Sequence, residues 1–252
     1  MGSQLPRPED RRKGPPNINY ARPFTPEEIR AGRHRRRVGG KWEQMGPRQL
    51  EFLREHGLKP GHRLLDVGCG PLRAGRLFVD YLDSGHYYGI DVNESLLDAG
   101  YDLELDDTGR KRLARDHLRA TARFDCDFGV ALDYAIANSV FTHVSLNHIR
   151  LCLYRLGRAT RPGARFFATF FYAPRSHPLD LSRNDGRRWT ERNAFFYYVG
   201  DLRWAASSGP WKLHYIGDWG HPGGQRMVEF RRIRASRARR AARRAVARAL
   251  TV

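Results

Sequence analysis

The chain has 252 residues, of which 40% are hydrophobic, and a formal net charge of +18. This length is enough for one full α/β domain and leaves too little for a second large core. No apolar stretch approaches the roughly 18 residues of a membrane span, and the N-terminal residues lack the apolar core of a secretory signal, so we expect a cytoplasmic protein. Three widely spaced cysteines without a Cys-x-x-Cys pair predict neither a disulfide framework nor a metal site.

The positive charge is concentrated at the two ends of the chain. Residues 231–252 contain nine Arg and no acid, and residues 1–37 contain ten Lys or Arg against four Asp or Glu. These ends carry +9 and +6, which leaves +3 of the total of +18 for residues 38–230. The body is therefore close to neutral, and we expect the C-terminal Arg-rich tail to give at most weak electrostatic binding of nucleic acid or an anionic surface.

The first predicted elements are two helices. About two dozen leading residues are rich in Pro and charge and predict a disordered arm. The segment TPEEIR, from Thr25, predicts a helix start because it has a threonine cap, a proline at the first helical position and a glutamate three residues after the cap. We expect this helix to end at Gly39-Gly40, and a second helix to run from near Pro47 to Gly57.

Short apolar runs then alternate with longer amphipathic segments. The strands are predicted near 63–67, 87–90, 118–121, 134–137, 165–171, 211–216 and 225–230. The helices are predicted near 72–82, 94–105, 146–157 and 199–207. This alternation predicts a doubly wound, mostly parallel sheet of seven strands, and the short loop between the last two strands predicts that they pair antiparallel.

Four parts of the chain follow from this pattern. They are a disordered arm (1–24), N-terminal helices (25–57), an α/β domain (58–232) and a basic Arg/Ala helix or tail (233–252).

The stretch LLDVGCGPLRAG, residues 64–75, predicts a ligand loop after the first strand. It fails as a dinucleotide fingerprint, because Arg73 stands where a third glycine is needed, and Pro71 removes a loop N–H. No Gly-Lys-Ser/Thr follows, which excludes a P-loop. A second acid, Asp91, ends the next strand 21 residues after Gly70, where a carboxylate can accept both ribose hydroxyls. Ribose binding without a pyrophosphate site indicates an adenosyl group that carries something other than phosphate.

These two segments, LLDVGCGPLRAG and YYGIDVNESLLDAG, resemble motifs I and II of class I S-adenosylmethionine-dependent methyltransferases. The similarity extends to a subgroup of small bacterial enzymes through VGGKWEQMG, ANSVFTHVSLNHIRLCLYRL, FFATFF and YIGDWGHPGGQRM, over about residues 33–232. The resemblance implies a Rossmann-like fold, with a mostly parallel seven-stranded sheet whose last strand is antiparallel. It also implies S-adenosylmethionine as the cofactor.

The resemblance also assigns cofactor-binding roles. Asp66, Gly68, Cys69 and Gly70 are expected around the methionine portion, Asp91 at the ribose and Phe124 or Asp125 at the adenine. Arg73 is expected at the cofactor carboxylate or, alternatively, on the surface. The complete set of expected cofactor contacts is Asp66, Gly68, Cys69, Gly70, Arg73, Asp91, Val92, Phe124, Asp125, Asn138 and Ser139.

The acceptor and the chemistry are predicted at the ends of later strands. His143 is the first candidate for a base or acceptor-orienting group, since a neutral imidazole can take a proton near pH 7. The alternative is that His143 only packs beside a helix start. His221, in the last hairpin, is the second candidate base, with a packed turn as its alternative. The other expected acceptor contacts are Thr142, Tyr172, Asp218 and Trp219.

Residues 172–198 form a long loop that we expect to set acceptor choice. Tyr172 stands where the subgroup commonly has an acid, and Phe195-Phe196 stand near a common His-Tyr pair, which favours an aromatic acceptor. We predict methyl transfer to a small-molecule or saccharide-type acceptor, with oxygen preferred over nitrogen. The rival functions are an RNA methyltransferase that uses the basic ends of the chain, and a non-catalytic scaffold that retains the cofactor fold.

Overall fold

The computed structural model describes residues 20–173, 183–184, 188–189 and 195–234. The basic tail beyond residue 234, most of the predicted disordered arm and most of the loop 172–198 lie outside these ranges. The strands are β1 (Leu64–Val67), β2 (Tyr87–Asp91), β3 (Leu118–Ala120), β4 (Leu132–Ala137), β5 (Thr160–Tyr172), β6 (Arg183–Asn184), β7 (Arg188–Trp189), β8 (Phe196–Tyr197), β9 (Trp211–Asp218) and β10 (Arg226–Arg232). The helices are α1 (Pro26–Arg30), α2 (Arg33–Arg37), α3 (Trp42–Glu55), α4 (Gly75–Tyr81), α5 (Glu94–Ala99), α6 (Asp107–Arg112), α7 (Leu146–Ala159) and α8 (Val199–Ser207).

The main sheet has the order β3-β2-β1-β4-β5-β10-β9, and β8 adds a short parallel pairing to β5. The strands β1 to β5 are parallel, and β10 is antiparallel to both of its neighbours. The predicted fold class is confirmed, including all seven strands and the antiparallel last strand. Because β9 pairs antiparallel with β10, it runs in the same direction as β1 to β5, and the hairpin after β9 lies at the C-terminal edge of the parallel strands.

Helices cover both faces of the sheet because successive strand residues point to opposite sides. In β1, Leu65 joins one apolar cluster together with Leu153 of α7, whereas its neighbour Leu64 joins the other cluster together with Phe52 of α3. All four residues of β1 are buried, as expected for a central parallel strand.

The N-terminal helices differ from the predicted ones. Thr25 and Glu28 form the expected capping box. The helix ends at Arg30, well before Gly39-Gly40, because Gly32 adopts φ 67° and separates α1 from α2. The next helix begins at Trp42 and keeps Pro47 inside it, since burial of Trp42 in its first turn favours an earlier start.

Two further differences concern local structure. Residues 20–24, expected in the disordered arm, are hydrogen-bonded to the start of α5. The predicted helix over 94–105 is an α-helix only to Ala99 and continues as a π-turn over Gly100–Glu104. This turn brings the carboxylate of Glu104 to His34 (2.9 Å) and Arg35 (2.6 Å) of α2.

Candidate active site

A cavity of about 920 Å³ opens at the C-terminal edge of the parallel strands. Its wall is formed by the ends of β1, β2 and β4, the segment after β3, the start of the chain's described part, α3 and the hairpin after β9. Because β1 lies between β2 and β4, this is the position where the strand order reverses, the usual binding position in doubly wound sheets.

The glycine loop after β1 brings backbone directly to the cavity. Gly68 has φ 73° and Gly70 has φ 52°, values that glycine adopts without strain. A Cβ on Gly68 would lie 2.4 Å from Cγ2 of Val140, so no larger residue fits without displacement. Gly68 and Cys69 line the cavity. Gly70 is not part of the described wall, and it stabilises the loop by donating its N–H to the Asp91 carboxylate (2.9 Å).

Asp91 is the last residue of β2, and each of its two carboxylate oxygens accepts a hydrogen bond from a backbone N–H. Its Oδ2 accepts from Gly70 N and its Oδ1 accepts from Asn93 N, both at 2.9 Å. Each carboxylate oxygen can accept a further hydrogen bond. The surrounding protein raises the pKa of Asp91 through burial, an effect that these backbone donors oppose. The neighbouring Val92 also lines the cavity.

Asp66, the acid of β1, is only 4% exposed at the cavity wall. Burial raises its pKa to about 7, although the hydroxyl of Tyr87 donates to its Oδ2 (3.1 Å) and the positive charge of Arg73 opposes the rise. This carboxyl group therefore changes protonation near neutral pH.

Arg73 lines the cavity and connects the glycine loop to the N-terminal segment. Its Nη1 donates to the carbonyls of Val38 (2.7 Å) and Gly40 (3.0 Å), and burial lowers its pKa. The alternative of a free surface arginine is therefore wrong.

The segment after β3 contributes an aromatic wall. Phe124 is 9% exposed, has φ 54° and lines the cavity together with Thr121 and Ala122. Asp125 lies outside the wall, and its carboxylate is 3.4 Å from the guanidinium of Arg119. Of the two predicted adenine contacts, the structure brings only Phe124 to the cavity.

His143 also lines the cavity, where it pairs with Tyr20. The Tyr20 hydroxyl is 3.2 Å from Nε2 of His143, and the two ring centroids are 4.8 Å apart. Burial lowers the pKa of His143, so the imidazole is neutral at pH 7. Its Nδ1 is buried and has no hydrogen-bond partner among the described residues.

A buried polar cluster supports the loop after β4. Ser139 has φ 60°, and its N–H donates to Oγ1 of Thr169 (2.7 Å). Thr169 and Ser139 both donate to Oε1 of Gln225, at 2.6 and 3.1 Å. Asn138 and Ser139 line the cavity as predicted, and Oδ1 of Asn138 has no partner within the described part of the chain. Thr142 is fully buried and donates to the Ser139 carbonyl, so it supports the loop and does not reach the cavity.

The hairpin after β9 places His221 at the wall, as predicted, but not its neighbours. Burial, followed by the positive charges of Arg73, Lys41 and Arg48, lowers the pKa of His221 to about 4. Trp219 instead packs in the core against Phe52, with ring centroids 5.5 Å apart, because its large apolar ring is buried there.

The expected acceptor contacts of Asp218 and Tyr172 are also corrected. Asp218 is an exposed residue that pairs with Arg226 at 2.6 Å. Tyr172 lies outside the cavity wall and contacts the ring of Tyr215, with centroids 6.0 Å apart. Asp218 ends the edge strand β9, and Tyr172 ends β5, on the side of β4 that faces away from β1.

Several wall residues were missed by the sequence analysis. They are contributed by the N-terminal segment, α3, the start of α7 and the segments before β8 and β10, and include Tyr20, Lys41, Gln49, His148, Phe195 and Gln225. Lys41, His148 and Gln225 lie within the segments shared with the bacterial subgroup, so a sequence signal existed for them. Phe195 lies in the loop that we expected to set acceptor choice.

Comparison with known proteins agrees with this geometry. Residues 65–166 match the family model described as "Methyltransferase domain". The solved structure of magnesium protoporphyrin IX methyltransferase from Synechocystis with bound SAM is 16% identical, with a TM-score of 0.54 over 89% of this chain and 90% of that one. Streptomyces venezuelae DesVI is 16% identical, with a TM-score of 0.56 over 83% and 96%. The sugar N-methyltransferase KedS8 from a Streptoalloteichus species is 15% identical, with a TM-score of 0.59 over 84% and 94%.

The sheet order and the cavity at the switch between β1 and β4 are those of S-adenosylmethionine-dependent methyltransferases of known structure. Residues 65–166 therefore form a methyltransferase domain by their family match, within a chain that has this fold. Within the described ranges, no helix is long and apolar enough to cross a membrane.

Proposed function

We propose that the chain transfers the methyl group of S-adenosylmethionine to a hydroxyl of a small, neutral, saccharide-type acceptor, with His143 as the base or acceptor-orienting group. The observation that carries this proposal is the position of His143, partly buried and neutral, at the wall of the same cavity as Asp91. We also propose that the chain belongs to the small bacterial subgroup of class I methyltransferases whose motifs it resembles.

The cofactor half of the cavity is assigned to its glycine-loop end. Asp91 accepts the ribose hydroxyls with its two remaining acceptor positions, and Phe124 packs on the adenine. Asp66 and the backbone of Gly68 and Cys69 surround the methionine portion, where Asp66 attracts the ammonium group. Arg73 supplies positive charge for the cofactor carboxylate. Its Nη1 stays hydrogen-bonded to the carbonyls of Val38 and Gly40.

The distribution of charge supports a neutral acceptor. The described wall contains four residues with formal charge, Lys41, Asp66, Arg73 and Asp91. All four lie in or beside the part assigned to the cofactor. The remaining described wall, which includes His143, has aliphatic, aromatic, hydroxyl, amide and imidazole groups and no carboxylate. An ammonium acceptor would gain from a nearby carboxylate, so this composition favours a hydroxyl over an amine.

The chemical role of the protein is mainly alignment. The sulfonium methyl is already electrophilic, and the reaction needs acceptor, methyl carbon and sulfur in a line. A hydroxyl also has to lose its proton, which a neutral imidazole can accept. The cavity volume of about 920 Å³ is large enough for a cofactor and a small acceptor together. The sugar N-methyltransferase of the same fold supports a saccharide-type acceptor in general terms, without deciding the methylated atom.

The test combines calorimetry with an acceptor screen. Micromolar binding of S-adenosylmethionine and S-adenosylhomocysteine, followed by methylation of a hydroxylated compound in a mass-spectrometric screen, is the expected result. The matched variant is His143→Gln, which keeps a polar side chain without a proton acceptor of comparable basicity. Full activity of this variant on the identified acceptor, or methylation confined to amines, would contradict the proposal.

A further inference from the structure

Asn93 occupies the N-cap position of α5 but does not cap that helix. An asparagine at this position ordinarily accepts a hydrogen bond from an N–H of the first turn. Here the side chain makes no hydrogen bond to a backbone N–H of the first turn, and its Nδ2 donates to the carbonyls of Tyr20 (2.9 Å) and Arg22 (2.8 Å). Asn93 is only 2% exposed, so these contacts are made inside the protein. The helix start thus serves to hold the N-terminal segment.

A second contact strengthens this attachment. Oδ1 of Asn93 accepts from the hydroxyl of Ser95 (2.6 Å), and the same hydroxyl oxygen accepts from the backbone N–H of Phe24 (2.8 Å). The backbone from Tyr20 to Phe24 is therefore held at three points by two adjacent polar side chains. Such a set of side-chain hydrogen bonds fixes a segment that has little apolar burial of its own.

The attachment determines where the ring of Tyr20 lies. With its carbonyl held by Asn93, Tyr20 directs its hydroxyl to Nε2 of His143, 3.2 Å away. The backbone N–H of Asn93 also donates to Oδ1 of Asp91. One residue thus connects the acid proposed for the ribose with the segment that reaches the proposed base.

We infer that Asn93 and Tyr20 are positioning residues for His143, with Asn93 fixing Tyr20 and the Tyr20 hydroxyl fixing the orientation of the imidazole. This inference rests on the proposed function in giving His143 its chemical role, whereas the positioning itself is independent of any acceptor. A partner on one ring nitrogen sets which nitrogen carries the proton and how the ring is oriented. Loss of that partner leaves the fold and the cofactor contacts in place and lets the ring rotate.

The first readout needs no acceptor. The imidazole NMR signals of His143, assigned by their loss in His143→Gln, are followed with and without S-adenosylhomocysteine in the full-length protein. Tyr20→Phe removes only the hydroxyl. Asn93→Ser removes the amide but supplies a hydroxyl able to cap α5, which protects the fold. Tyr154→Phe, on the exposed face of α7, is the matched control.

The expected result is a displacement of the His143 signals in both variants and none in the control. Because the two residues act in one chain of contacts, the double variant should move the signals no further than Tyr20→Phe alone. Unmoved signals in Tyr20→Phe would overturn the inference for both residues, and unmoved signals in Asn93→Ser would overturn it for Asn93.

The second readout uses an acceptor identified by the screen. Both variants should lower kcat by about five- to tenfold, the effect of one lost hydrogen bond, while the Kd for S-adenosylmethionine changes less than about twofold. An unchanged kcat in both variants would overturn the inference even if the NMR signals move. Failure of the wild-type protein to bind S-adenosylhomocysteine would instead contradict the proposed function, and the NMR comparison without ligand would still decide the positioning.

Discussion

The buried carboxyl group of Asp66 should make the unliganded protein less stable as pH rises, and Asp66→Asn should remove this effect. The side chain is protonated in both states below its ordinary pKa of 3.8. Between pH 4 and the folded-state pKa of about 7, the unfolded chain releases the proton while the folded protein retains it. The free energy of unfolding therefore falls with rising pH across this interval. The difference between the two pKa values, 3.8 and about 7, corresponds to a loss on the order of 4 kcal/mol in the free energy of unfolding. About 3 kcal/mol of this loss occurs between pH 5 and 8.

Asparagine has nearly the same shape, can still accept from Tyr87 and carries no charge at any pH. Urea and thermal unfolding of the unliganded protein should show Asp66→Asn gaining stability over the wild type by up to about 3 kcal/mol between pH 5 and 8. For a domain of this size, 1 kcal/mol corresponds to roughly 2–4 °C in Tm. Asp80→Asn, on the exposed face of α4, is the control and should keep the wild-type pH dependence.

The same variant should lose affinity for S-adenosylmethionine by about 1.5–3 kcal/mol in calorimetry at pH 8, since an ionised Asp66 is proposed to attract the cofactor ammonium. Stability and cofactor affinity should thus change in opposite directions. If Asp66→Asn follows the wild-type pH dependence of unfolding, or is less stable at pH 8, the burial argument is refuted.

Three further outcomes are expected. Asp91→Ala should weaken S-adenosylmethionine binding by about 1.5–3 kcal/mol, and unchanged calorimetric affinity in a folded variant would remove Asp91 from the ribose site. His143→Ala should lower the methyl-transfer rate by about 10²–10⁴-fold with cofactor affinity preserved. Because burial lowers the pKa of His143, the kcat/KM of the wild type should be maintained below pH 6.5, which a pH profile can check. Gly68→Ala should destabilise the protein in urea unfolding by more than Gly129→Ala, since both have φ 73° but only the Cβ at Gly68 meets Val140, at 2.4 Å.

The sequence was sufficient for the sheet because each central strand is a short apolar run between turn residues. YYGID is buried along β2, and its last residue, Asp91, lies at the cavity by the geometry of parallel sheets. The same reasoning placed Asp66, Gly68 and His143 in one cavity, although their roles remain predictions. In these cases the position of a residue at the end of a parallel strand is enough to place it at the edge of the sheet where the cavity lies.

The sequence was insufficient where a contact depends on side-chain direction or on distant backbone. Tyr20 and His143 are separated by 123 positions, and the Asn93 amide recognises carbonyl groups, which every residue has. In the last hairpin, Trp219 and His221 lie two residues apart, yet the first packs in the core and the second lines the cavity. Deciding between them requires the register and the packing of the opposite helix, neither of which a single hairpin sequence contains.

The π-turn over Gly100–Glu104 has a consequence for changes in chain length. A π-turn holds one residue more than an α-helical turn, and each residue of an α-helix accounts for about 100° of rotation. Deletion of one residue from this turn would restore a regular helix and rotate Glu104 away from His34 and Arg35, which it now contacts. The sheet would be unaffected, but α2 would lose its ion pairs with Glu104. Helical phase at this one turn therefore determines whether α2 keeps its ionic contact with the body of the protein.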